Sequence, residues 1–181
     1  MSVEKKEAVK EELSQYLTFI LDNEEYAVPI LKVSGIQGWE KTTPIPNAPE
    51  YVKGIINLRG EVVPIIDLRK RFNLEHREYD AHTVVIVVKM EQREKKRTVG
   101  LVVDAVADVY DIDREKINDT PDFNMKVNDD FVKGLGLIED KMVIVLEIDN
   151  LVDWKNMSED DAQRELEDLD SEDESSEEEA A

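Results

Sequence analysis

The 181-residue chain has no cysteine, which excludes a disulfide framework and any thiol chemistry. It has two histidines, His76 and His82, and neither sits in a metal-ligand pattern. A metal site needs three or four convergent ligands, so no metal, cofactor or catalytic residue is expected. No run reaches the ~18 apolar residues that a membrane helix requires. The start, MSVEKKEAVKEEL, lacks the apolar stretch of a signal peptide. None of the seven glycines falls in G-x-x-x-x-G-K-[ST], G-x-G-x-x-G or G-x-S-x-G, the spacings that cradle phosphates or expose a nucleophile. Positive charge is scarce: 23 Lys and Arg stand against 43 Asp and Glu, a net −20. Affinity for nucleic acid rests on neutralising phosphates, so no nucleic acid and no direct membrane insertion are expected, and the chain reads as cytoplasmic.

The charge is uneven. Residues 157–181 hold thirteen carboxylates and one arginine, net −12, which leaves −8 for the rest. A segment so acidic and so poor in apolar residues cannot offset the entropy of ordering, so the region 155–181 reads as a disordered tail with a short helix near Ser158 at most. The simplest role for it is solubility, in which case deleting 158–181 leaves assembly intact. Residues 1–14 read as an N-terminal extension.

What the chain does have is short runs of β-branched and aromatic residues between turn signals. Strands are predicted at 15–22, through YAVPILKVSGI with a bend at Pro29, across 51–67 and 131–148 as two hairpins, at 83–90 and at 97–112 with a bend near Asp104–Ala105. TTPIPNAPE reads as a rigid loop, LRKRFNL as one helical turn, EQREKK as a polar loop and DREKI as a helical turn.

An internal repeat organises these runs. YVKGIINLRGEVVPIIDL lies over FVKGLGLIEDKMVIVLEI at an offset of 80 without a gap, Val52-Lys53-Gly54 falling on Val132-Lys133-Gly134. Upstream, Val28, Ile30, Val33 and Ile36 match Leu101, Val103, Val106 and Val109 at an offset of 73. Two copies of a small β unit therefore make up the chain, one across 15–81 and one across 82–154, with terminal elements free to cross over. Small β units close into barrels, which removes exposed strand edges. The predicted fold is mainly β: two small five-stranded, SH3-like barrels around a hydrophobic groove, itself a natural partner site.

Each candidate charged residue also admits a plain structural role. Asp67 precedes LRKRF and fits a helix cap better than an acid–base pair with Asp104. DIDREKINDTPD begins like a calcium loop but lacks the glycine at position six and the glutamate at twelve. Arg69, Lys70 and Arg71 fit a solvated face. Arg59 stands where a plain hairpin favours Asn-Gly or Asp-Gly; from spacing alone it is equally an idle turn residue and an interface cation. Val84 and Val85 are adjacent in one strand, so they point to opposite faces and cannot share one barrel core.

KGIINLRGEVVPIIDLR, TVVIVV and VVDAVADV, in order within 15–154, resemble the CheW family of bacterial chemotaxis coupling proteins. The resemblance implies a non-enzymatic adaptor with two five-stranded barrels and a groove between them. It implies as partners the cytoplasmic tips of methyl-accepting chemotaxis receptors and the regulatory domain of the histidine kinase CheA, with the free protein a monomer recruited to membrane receptor arrays. Carried over by position, Val33, Gly54 and Arg59 are receptor-binding residues, and Ile36, Val84, Val85, Val106 and Val109 are groove residues. Gly35 stands where the family often has an acid, whose contact would fall to a residue such as Glu40. On the same grounds Arg59→His and Gly54→Asp would weaken receptor coupling without unfolding the chain. A CheV-type protein would need a phosphoreceiver domain after residue 157. A small β-barrel enzyme or ligand-binding protein using Asp67, Asp104 and the histidines is the rival from another class.

Overall fold

In the computed structural model, which describes residues 13–119 and 127–153, ten strands form two five-stranded sheets. They are β1 (Leu13–Leu21), β2 (Glu24–Pro29), β3 (Val33–Gly38), β4 (Val52–Leu58), β5 (Glu61–Asp67), β6 (Val84–Gln92), β7 (Lys95–Val103), β8 (Ala105–Asp113), β9 (Val132–Ile138) and β10 (Lys141–Leu146). One helical turn, α1 (Leu68–Arg71), follows β5. The bend at Pro29 becomes a 3-10 turn at Ile30–Lys32, and DREKI becomes another at Arg114–Lys116. A further 3-10 turn, Ile148–Asn150, follows β10. The expectations for residues 1–12, for Ser158 and for the acidic tail lie outside the described residues.

Among the described residues, four hairpins close with two residues at positive φ: Asp22-Asn23, Arg59-Gly60, Arg93-Glu94 and Glu139-Asp140. Such paired left-handed residues match the twist of the flanking strands. The third of these corrects a sequence expectation. EQREKK is no loop; β6 and β7 run through it in register, Glu91 opposite Lys96 and Gln92 opposite Lys95.

The first sheet runs β8-β1-β2-β10-β9 and the second β3-β6-β7-β5-β4. Each therefore takes strands from both copies of the repeat. β1 and β2 of the first copy join β8, β9 and β10 of the second, and the reverse holds in the other sheet. The matching parallel pairs, β2 with β10 and β7 with β5, show that the two sheets are equivalent. Each sheet curls until the segment after one edge strand meets the other edge, at the bridges Thr43–Ile55 and Asn118–Leu135.

Three apolar cores follow from the two-residue period of the strands. One barrel encloses Tyr16, Ala27, Ile112, Val143 and Val145. The other encloses Val63, Ile65, Val85, Val87 and Val102. The largest lies between the sheets and draws on both, with Phe19, Tyr26, Phe72 and Phe131 in a chain of stacked rings. The space between the barrels is thus largely filled.

The chain changes sheet twice, at Ile30–Lys32 and at Asp104, and an ion pair pins each crossing. Arg69 in α1 donates from Nε to Asp104 Oδ1 at 2.8 Å and from Nη2 to Oδ2 at 2.6 Å. Lys32 donates to Asp149 Oδ2 at 2.8 Å. Arg69 and Asp149 are the same position of the two copies at the offset of 80, so the device is repeated with its charges reversed.

Candidate partner-binding site

Arg59 is exposed at the tip of the β4–β5 hairpin, at φ 52°. A non-glycine residue in that region costs about 1 kcal/mol. Strain alone does not single Arg59 out, because Arg93, Glu94, Glu139 and Asp140 have the same backbone. Its surroundings do. Arg59 lines an open depression of about 290 Å³ together with Ile36 and Gly35 of β3, Leu58 of β4, Val87 and Lys89 of β6, and Thr98 of β7. Ile36 is 47% exposed there. A Cβ at Gly35 would meet nothing within 4 Å, so that corner is open, and Glu61 is the carboxylate in the lining where Glu40 was anticipated. An exposed apolar side chain in one lining with two cations suits a protein surface with carboxylates beside aliphatic groups.

The other sequence-predicted residues do not form one cluster. Gly54 is buried, not presented to a partner; its φ is +137° and a Cβ would lie 2.3 Å from the Thr43 carbonyl oxygen. A side chain here disturbs the fold, which corrects the expectation that Gly54→Asp leaves it intact. Val33, Val84 and Val106 are half-buried against the inter-sheet core. Val85 is 2% exposed inside the second barrel. Val84 and Val85 thus take opposite faces, as their adjacency requires. Val109 is 43% exposed. It faces Leu17 while Val106 faces Phe19, and a bulge between the two pairs turns both valines toward the same side. Thr18 fills that bulge, donating to the Asp108 carbonyl and accepting from the Asp108 N–H, each at 3.1 Å.

The polar candidates of the rival reading are committed to structure. Asp67 Oδ1 accepts from the Arg69 and Lys70 N–H groups, capping α1, and Oδ2 accepts from the Tyr79 hydroxyl at 2.5 Å. Burial, then the Asp67 bond, raises the Tyr79 hydroxyl pKa. Asp104 holds Arg69 and also accepts from the Asp22 N–H at 3.0 Å. Burial alone would raise its pKa; the Arg69 bonds, the Asp22 N–H and the charges of Arg69 and Arg77 outweigh it and leave the carboxyl below its usual range. His76 and His82 are exposed, and no group of three metal-ligating side chains converges among the described residues.

Sequence reasoning missed the cationic β6–β7 hairpin beside this depression, and it missed exposed Leu31, Val62, Leu137 and Met142. Val62 and Met142 share the offset of 80, a signal available in the repeat.

Residues 15–156 match the CheW-like domain. The chain belongs to that family. It is 42% identical over 144 residues to the chemotaxis protein CheW of Klebsiella aerogenes, covering 80% of this chain and 84% of that one. Its identity to the chemotaxis protein CheW of Rhizobium meliloti is 37%, covering 76% and 86%. The crystal structure of the scaffolding protein TtCheW from Thermoanaerobacter tengcongensis superposes with a TM-score of 0.70 at 34% identity, covering 77% of this chain and 88% of that one. The chain is accordingly a CheW-like chemotaxis coupling adaptor, and the two curled sheets are those of that scaffold.

Proposed function

We propose that this CheW-like chain makes no and breaks no covalent bond, and that it couples the cytoplasmic tips of methyl-accepting chemotaxis receptors to the regulatory domain of the histidine kinase CheA. In this reading the free protein is a cytoplasmic monomer that joins membrane-bound receptor arrays. The face around Arg59 and Ile36 docks the receptor. Val33 and Gly54 support it from beneath, Val33 through the inter-sheet core and Gly54 through the β4 backbone. Val84, Val106 and Val109, at the margin of that core, serve the second partner, and Val85 holds the barrel that carries them.

The observation that carries the reading is the depression at Arg59, where an exposed isoleucine shares the lining with Arg59 and Lys89. Two moderate contacts made at once raise the effective concentration for each, and a shift in the receptor then biases the kinase through the shared lattice.

Arg59→Glu tests the assignment. Arg59 is exposed, and no shift in stability beyond about 0.5 kcal/mol is expected. Co-sedimentation with receptor-containing membranes should fall at least about tenfold, the loss from one reversed interface charge with its apolar neighbour disturbed. Kinase pull-down should persist, and circular dichroism should be unchanged. Undiminished receptor binding by a folded Arg59→Glu protein would reject the site.

A further inference from the structure

β3 and β8 are edge strands, one in each sheet, and they correspond at the offset of 73. Both carry a bulge in the same register: Val33 faces Val88 and Ile36 faces Ile86, as Val106 faces Phe19 and Val109 faces Leu17. Exposed strand edges are ordinarily blunted by charge, proline or a covering group. β8 is blunted. It carries three aspartates, and Asp108 Oδ1 accepts from the Val109 N–H at 2.8 Å. β3, with the sequence VSGIQG, has no charge and no proline. The counterpart of Asp108 is Gly35, which has no side chain to cap Ile36. The Trp39 N–H donates to the Thr83 carbonyl. By the alternation of an antiparallel ladder, Ile36 and Gly38 therefore turn their N–H and C=O groups away from β6, toward the edge. The two barrel mouths differ in the same sense. In one, Lys141 lies on the buried Glu25 carboxylate. Their counterparts in the other are Glu61 and Thr98, which line the open depression with Arg59 and Lys89.

We propose that the β3 edge takes up an extended segment of a partner as an added strand, and that this segment has a carboxylate next to an aliphatic residue. Main-chain bonds to Ile36 and Gly38 supply the hold, and alternate side chains supply the selectivity. The two faces of β3 differ. Ile36 lies opposite Ile86 of the inter-sheet core, whereas Gly35 lies opposite Val87 inside the barrel. Successive residues of an added strand therefore reach Ile36 on one face and the mouth on the other. The mouth holds two exposed cations, Arg59 and Lys89, against one carboxylate, Glu61, so it suits an acid; the exposed Ile36 suits an aliphatic neighbour. A second copy of β3 would bring no carboxylate to the two cations, which argues against an edge-to-edge pair of this chain. The added strand is a second kind of occupant for the Arg59 depression, and it does not use the receptor assignment.

The probe is an acetylated and amidated hexapeptide of alternating Glu and Val, titrated into the isotope-labelled full chain. The amide resonances of residues 34–38, Arg59 and Lys89 should move saturably. In an extended peptide the N–H groups of the Glu residues lie along one edge and those of the Val residues along the other. Methylating one set of amides should weaken binding at least about tenfold, and methylating the other set less than about twofold. Loss with both sets or with neither would overturn main-chain pairing. Replacing Glu by Lys in the peptide should also cost at least about tenfold, and an equal affinity would overturn the choice of an acidic segment. Gly35→Asn supplies a capping oxygen without a charge, and a Cβ at this position meets nothing within 4 Å. Its circular dichroism should match the parent while peptide binding falls several-fold; Gly35→Ala should bind as the parent does. Undiminished binding by the Asn variant, or an equal loss in the Ala variant, would overturn the role of the open N–H. No movement at 34–38, or a dimer in sedimentation that the peptide dissociates, would overturn the proposal as a whole. No receptor is present, so a failure of receptor docking at Arg59 leaves these results untouched.

Discussion

At the scale of single residues, the repeated Val-Lys-Gly shows how a motif can be legible while its cause is not. The alignment of Gly54 with Gly134 is plain in the sequence. The reason is a crossing of backbones: a Cβ at Gly54 would lie 2.3 Å from the Thr43 carbonyl, and one at Gly134 would lie 2.6 Å from the Asn118 carbonyl. Both carbonyls belong to the bridges that close the barrels. Gly54→Ala adds the positive φ to the clash, and should cost about 3 kcal/mol in urea denaturation. Any loss of partner binding by that variant should then track its loss of folded protein. An Ala variant as stable as the parent would show that the bridge yields. Arg59 is the opposite case. Its turn was readable from Arg-Gly, but its place beside Ile36 and Lys89 depends on three other strands, and no local pattern encodes that.

At the scale of elements, the strands were legible because burial on one face imposes a period of two, and the bend at Asp104 was legible because it interrupts an apolar run. The β6–β7 extension was not. Its Arg-Glu turn lacks the Asn or Gly that marks a hairpin tip, and its flanking residues are mostly charged, so they show no apolar alternation. The partner of Asp104 was also hidden, since Arg69 is 35 residues away. That pair has side-chain exposures of 10% and 11%, and it fastens α1 to the point where the chain leaves one sheet for the other. Asp104→Asn removes the carboxylate that accepts two bonds from Arg69 and leaves the guanidinium with Asp22 at 3.7 Å and the Glu75 carbonyl at 2.8 Å. The expected cost is about 2 kcal/mol, between that of an exposed and of a fully buried pair. The sign of its pH dependence follows from the lowered Asp104 pKa. A carboxylate depressed in the folded state stabilises fully above its unfolded value of about 3.9, and loses that contribution as pH falls through the folded value. The gap in urea midpoint between parent and variant should therefore be constant from about pH 5 to 8 and narrow below about pH 4. A gap that widens in acid would show that Asp104 is not held as the anion.

At the scale of the whole molecule, the two copies were legible and their exchange was not, because the offsets of 73 and 80 report only where residues are inserted between equivalent strands. The connections explain the exchange. If the first copy closed on itself, β3 would lie against β1 in the place that β8 now occupies, parallel to β2 and two strands away. The chain would then have to return the length of β2, about 20 Å, and cross two strand spacings of about 4.8 Å. Three residues, Ile30–Lys32, join β2 to β3, and they span at most about 14 Å even when extended. In the second copy Asp104 alone joins β7 to β8, which is shorter still. Each copy must therefore hand its last three strands to the other, and the inter-sheet core that receives Phe19, Tyr26, Phe72 and Phe131 comes from both. Separate chains of residues 1–81 and 82–181 should each lack a cooperative thermal transition, since each holds a hairpin and three strands with no sheet to complete. Mixed in equal amounts they should regain the β circular dichroism of the intact protein and a single transition at lower temperature, concentration-dependent because association is now bimolecular. A half that melts cooperatively on its own would mean that the short connections do not enforce the exchange, and that the barrels are independent units after all.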